Sequence, residues 1–135
     1  MEVANANLIL SVFLGLLFAW SSVWFVLSSA KFFSDKNKKV LWATHLGWSV
    51  VNISIAAFGF YTVSSSEMSD SFVTSQRNIV AFNILLDIVY VLVALKLMRS
   101  TKEMYVQIGR AVRVQGAFLF FFDIVFALAL TIILL

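Results

Sequence analysis

Asp87 and Asp123 each stand in the middle of a long apolar run. A carboxyl group in such a run is expensive to bury. It normally faces the inside of a helix bundle, where it meets a proton, a cation or a polar partner. Asp87 lies nine residues before Lys96, and Asp123 lies ten residues after Arg113. At about 1.5 Å of rise per residue, both sit roughly 14 Å from the nearest basic anchor. The two runs are consecutive in the chain, so they are expected to be antiparallel neighbours with the carboxyls level and close.

Other polar side chains fall at the same depth. His45, Trp48, Asn52, Ala56 and Gly59 share one helical face of the preceding run. Asn83 and Tyr90 lie about one turn to either side of Asp87. The candidate intramembrane polar cluster is therefore Asp87, Asp123, Asn83, Asn52, Tyr90 and Trp48, with His45 and Gln115 as secondary positions. Two touching carboxyls titrate as a unit and can hold a proton or a cation between them. In the plainer alternative they are neutral acids gluing helices together, worth about 1 kcal/mol each. His45 is expected to be a partly hydrated, singly bonded imidazole, not a ligand. The chain has no cysteine and one histidine, so neither a thiolate metal site nor a cysteine nucleophile is available. No Ser–His–Asp set, phosphate loop or metal-ligand spacing is present either. The expectation is a protein without metal or cofactor that is not an enzyme.

Composition identifies the elements that must position these residues. Of 135 residues, 61% are hydrophobic and 13% charged, against roughly 25% charged in soluble domains. The surface of such a chain suits lipid better than water. The expected fold is all-α: one domain, residues 1–135, forming an integral membrane four-helix bundle. Its spans run over about 8–30, 40–63, 78–97 and 114–135 in up-down-up-down order. The runs are rich in Val, Ile and Phe, but a lipid-exposed backbone must bond within its own segment or in a closed barrel. Barrel strands would alternate polar and apolar residues, and these runs do not. The first run lacks a basic leader and is too long for a signal peptide, so it is expected to be retained as a helix.

The loop after the first span holds Lys31, Lys36, Lys38 and Lys39, and that after the third holds Lys96, Arg99, Lys102, Arg110 and Arg113. The loop between spans two and three carries Arg77 with Glu67 and Asp70. Short basic loops stay cytoplasmic, which places both termini on the non-cytoplasmic side. The net charge of +3 thus reads as a topology signal, not as a nucleic-acid surface. Residues 100–113 are read as extensions of spans three and four that turn near Gly109, or else as an interfacial amphipathic segment. Ser11, Gly15, Ser22 and Ser29 are expected to form the packing seam of the first span. Most of the aromatics are expected to face lipid or the interface.

Gly109-Arg110, then Gln115-Gly116-Ala117-Phe118-Leu119 and Phe122-Asp123, with Trp48 and Asn52, resemble an uncharacterised family of small four-span bacterial membrane proteins. The resemblance covers about half the chain. It implies a bacterial four-helix fold, and it points to Asn52, Gln115, Gly116 and Asp123 as recurring positions; the expected location of the chain is the inner membrane. It implies no activity. In size and helix number the chain is similar to small multidrug-resistance transporters, but those carry a glutamate in the first span, and here Glu2 lies ahead of it. Intramembrane aspartyl proteases carry a Gly-x-Gly-Asp motif, whereas Asp123 follows three phenylalanines. A haem or quinone site is disfavoured, because His45 is the only histidine and a bis-His site would need two subunits, which leaves two functions in view. The first is a non-enzymatic subunit or scaffold of a membrane assembly, its partners the bilayer and a homo-oligomer or larger complex, with no nucleic acid. The second is a homo-oligomeric proton- or cation-coupled transporter or channel using Asp87 and Asp123.

Overall fold

The structure, a computed structural model, describes residues 2–135. Four helices account for nearly all of them: α1 (Val3–Ser34), α2 (Lys39–Ser65), α3 (Asp70–Met98) and α4 (Glu103–Leu134). Each is long and apolar enough to cross a membrane. With 27 to 32 residues apiece they reach about 40–48 Å, well beyond the ~20 residues that a hydrocarbon core requires.

α3 gains its extra length from a polar start with a side-chain cap. Ser69 accepts a hydrogen bond from the Phe72 amide at 3.2 Å, and Asp70 sits in the first turn, where the helix dipole favours an acid. α3 therefore begins eight residues before the expected Asn78. At the other end the chain turns over residues 99–102, where Ser100 Oγ accepts from the Lys102 amide at 3.1 Å. Residues 103–113 belong to α4 itself. Gly109 is not a turn, and no separate interfacial segment exists.

Gly109 lets α3 and α4 touch. A methyl group there would fall 2.7 Å from the Ala94 carbonyl oxygen and 3.0 Å from Leu97 Cβ. At Gly116 the corresponding contact is Val91 Cγ2 at 3.3 Å. The inward residues of α3 are Val73, Val80, Asp87 and Ala94, and α4 answers with Gly109, Gly116, Asp123 and Leu130. A strict seven-residue interval keeps one seam facing its neighbour when two helices cross at a shallow left-handed angle. Both aspartates occupy this seam.

α1 packs along α2 as α3 packs along α4; the two hairpins join chiefly through α2 and α4, and less through α1 and α4. α2 and α3 barely meet. The seam of α1 is Ala6, Leu10, Leu17, Ser21 and Ser28, one position round the helix from the expected Ser11, Gly15, Ser22 and Ser29. α1 is apolar on every side, so composition did not mark its inner face. Phe13 also turns inward, stacked on Phe126 at 4.4 Å and edge-on to Phe122. Gly109→Ala is expected to lower stability by about 1–3 kcal/mol, because backbone must move to admit the methyl. Gly15→Ala, with nothing within 4 Å of the new carbon, should hold or raise the thermal midpoint in detergent, since alanine suits a helix interior better than glycine. Equal midpoints for the two variants would refute this account of the α3–α4 seam.

Charge is sorted to the ends. The α1–α2 and α3–α4 turns lie at one end, near nine of the ten basic residues; the α2–α3 turn at the other has Arg77 with Glu67 and Asp70. The sides between are apolar, with Phe58, Phe82 and Phe121 each 60% or more exposed.

Candidate functional site

Because α2 and α3 do not close on each other, a cleft of about 290 Å³ runs between them, backed by α4 and α1. Trp48, Asn52, Asn83, Asp87, Tyr90 and Asp123 all line it. The six residues singled out by depth and face are thus brought to one cavity. Trp48 and Tyr90 meet edge to face at 5.1 Å on the side nearer the basic turns. Thr62 and Gln76 line it toward the α2–α3 turn. The walls between are aliphatic and aromatic, and none of the lining side chains is basic.

The carboxyls of Asp87 and Asp123 lie within hydrogen-bonding reach of each other. Gly116 sits opposite Tyr90 and Val91, which puts the Asp123 backbone about one turn farther from the basic end than that of Asp87. Every Cα–Cβ bond leans toward the N-terminus of its helix. In antiparallel partners the two side chains therefore lean toward each other, closing the one-turn offset. Asp87 is 2% exposed and Asp123 7%.

Asp87 Oδ2 is buried with no hydrogen-bond partner. Two ionised carboxylates are acceptors only, so their close approach becomes a bond when one of them carries a proton. Asn52, also 2% exposed, has its amide nitrogen buried and unpaired. Behind the cleft wall lie one acceptor and one donor that protein groups do not satisfy. Buried polar groups are nearly always bonded, and exceptions mark functional or solvent-filled positions.

His45 and Gln115 belong to a different layer. Gln115 Oε1 accepts from the Trp20 indole at 3.1 Å, and Gln115 Nε2 lies 3.0 Å from His45 Nδ1. An indole can only donate, which fixes the amide orientation. Gln115 Nε2 must then donate to His45 Nδ1, leaving the imidazole proton on Nε2. Trp24 stacks on His45 at 4.2 Å, and Trp20 stacks on Phe118 at 3.9 Å. At 3% exposure His45 is packed between helices, not partly hydrated as expected, though it makes a single hydrogen bond. Gln115→Leu removes the partner of both rings at once and is expected to cost about 1–3 kcal/mol. Thermal unfolding followed by tryptophan fluorescence reads that loss; an unchanged midpoint would assign the layer no structural weight.

Several buried polar residues escaped the sequence argument. Ser21 and Ser49 bond back to the carbonyls of Leu17 and His45 at 2.7 and 2.8 Å. Gln107 Oε1 accepts from the Leu41 amide at 3.1 Å, capping the start of α2 from another helix, while its Nε2 donates to the Asn37 carbonyl at 3.0 Å. Ser21 could have been found from the interval shared by Leu10, Leu17, Ser21 and Ser28. Nothing local to Gln107 announces an interhelical cap. Among the described residues no three His, Asp or Glu converge as a metal site requires.

Residues 16–124 match DUF6992, a family of unknown function. The matched stretch takes in the carboxyl pair, the rest of the cleft cluster and the His45–Gln115 layer. No curated protein and no solved structure matches the chain.

Proposed function

For a chain that belongs to the DUF6992 family of unknown function, we propose the role of a membrane-embedded four-helix bundle that binds a proton or small cation at the Asp87–Asp123 pair, as the ion site of a non-enzymatic carrier. The observation that carries this reading is the contact of two buried carboxyls in a cleft with no basic side chain. A net negative charge there requires a counter-charge, because an isolated buried ion is very costly. A proton or a cation supplies it. Insertion in the bilayer is supported by the apolar sides and the charge-sorted ends. The basic turns then face the cytoplasm and residues 66–69 the opposite side. The inner membrane is the compartment this orientation suits.

Infrared difference spectroscopy of the reconstituted protein tests the ion site. One carbonyl band of a protonated carboxylic acid is expected to disappear in a single-proton step. It should be absent from the Asp87→Asn/Asp123→Asn double variant. A wild type with no such band removes the reading.

A second reading, a non-enzymatic subunit or scaffold of a larger membrane assembly, is favoured by the unsealed side between α2 and α3. Native mass measurement in mild detergent separates the two: a stoichiometric foreign partner supports the assembly, and a bare chain or homo-oligomer supports the carrier.

A further inference from the structure

We infer that the cleft between α2 and α3, together with a polar hollow at its outer mouth, binds one uncharged lipid with a polyol headgroup from the non-cytoplasmic leaflet. One acyl chain fills the cleft, and the headgroup lies on the first turns of α3. The inference rests on the bilayer placement proposed above and not on the ion site.

Two cavities meet to form the site. Ser71, Thr74, Ser75 and Asn78 share one face of α3 and line a shallow hollow of about 500 Å³ with Ile79 and Phe82. Ile79 also lines the cleft, so the polar hollow runs into the apolar one. Ile79 is 52% and Phe82 60% exposed, which leaves the junction open at the side of the bundle.

The cleft fits one chain of one leaflet. From Ile79 to Tyr90 its α3 wall rises about 16 Å, and half of a hydrocarbon core is about 15 Å. Trp48 and Tyr90, edge to face at 5.1 Å, mark the inner end. A dry cavity of about 150 Å³ holds benzene. At about 290 Å³ the cleft holds about twice that much carbon, most of one chain and too little for two. Because α2 and α3 barely meet, the chain enters sideways from the bilayer without any opening of the bundle. Asp87 and Asp123 are almost wholly buried, so the chain runs along Ile55, Phe58, Leu86 and Phe126.

The headgroup follows from the chemistry of the hollow. Its hydroxyls and the Asn78 amide both donate and accept, as the hydroxyls of a polyol require. No charged side chain lines it. Arg77, the basic residue of this end, donates to Asn78 Oδ1 at 3.3 Å, and Glu67 and Asp70 give the end an acidic balance. A phosphate is therefore disfavoured there. Asn78 stands where the apolar run of α3 begins, which is the level at which headgroups meet hydrocarbon.

The probe is monoglucosyl dioleoylglycerol, offered to the full chain with an equal amount of dioleoylphosphatidylcholine in a detergent that has no sugar head. Native mass spectrometry counts the lipids retained. One glucolipid per chain is expected to survive activation that strips the phosphatidylcholine, whose chains are the same. Ile79→Trp blocks the junction and should abolish retention, whereas Leu92→Trp, on a part of α3 outside the cleft and 60% exposed, should keep it. Ser71 is engaged by Ser69 at 3.0 Å, so the hydroxyls tested are those of Thr74 and Ser75. Thr74→Val/Ser75→Ala should lower glucolipid retention about tenfold, for two lost hydrogen bonds, with the thermal midpoint unchanged. Equal retention of the two lipids, retention by Ile79→Trp, loss in Leu92→Trp, or an unaffected hydroxyl variant overturns the inference. Any of these spares the ion site, and cysteine labelling tests the bilayer placement separately.

Discussion

Asp87→Leu and Asp123→Leu are each expected to destabilise the bundle, and the double replacement to restore most of what either one loses. With one aspartate gone, the other is left buried without its partner. Asp87 Oδ2 already lacks a donor, so removing Asp123 withdraws the one group able to share a proton with it. Breaking a buried polar pair from one side leaves the full desolvation penalty of the survivor. Replacing both by apolar groups of similar size leaves no orphan, and the α3–α4 seam then reads as continuous aliphatic packing through Val80 and Leu130. Contacting residues of this kind show coupling of about 0.5–3 kcal/mol. A double-mutant cycle on detergent unfolding measures it. Additive losses would mean that the two carboxyls act as separate helix contacts, and the shared-proton account would fall. The asparagine variants give a milder result, since an amide can stand in for a protonated acid.

The second large effect is all-or-none. The chain contains no cysteine, so single cysteines report cleanly on sidedness. At positions 67 and 70, beside the α2–α3 turn, they are expected to react with an impermeant maleimide in intact cells. At positions 36 and 102, in the basic turns, they should react only after permeabilisation. Loops within about 15–20 residues of the helix ends hold their side through lysine and arginine count, with acids contributing little. Nine of the ten basic residues are at one end of the bundle, so the bias is not marginal. Labelling of position 102 from outside would invert the topology and, with it, the side from which Thr62 and Gln76 open the cleft.

The number and type of the elements followed from the chain alone. Four apolar runs too long for strands, separated by short polar stretches, admit one economical arrangement when backbone groups have to bond internally. The cleft cluster followed too, for a related reason. Polar residues are so sparse in these runs that Asp87, Asp123, Asn52 and Asn83 stand out against an apolar background, and helical rise converts their positions into depths. The ends of the helices were less legible. Ser69 and Ser100 each hold a single backbone amide, a signal too slight to outweigh the polar composition of residues 67–77 and 100–113.

Rotation about each helix axis was decided by tertiary structure. α1 offers apolar residues on all sides, so Ser21 and Ser28 face inward instead of Ser22 and Ser29 only because α2 and α4 pack there. Gly109 looked like a turn residue, and became a close approach of two backbones because Ala94 lies across from it. Gln107 and Trp20 gained their partners, the Leu41 amide and Gln115, from helices far away in sequence. Sequence by itself determined which residues are too polar to face lipid. Which of them meet was left to the packing, since the α3–α4 seam brings Asp87 to Asp123 while no neighbour of Asn52 offers its amide nitrogen an acceptor.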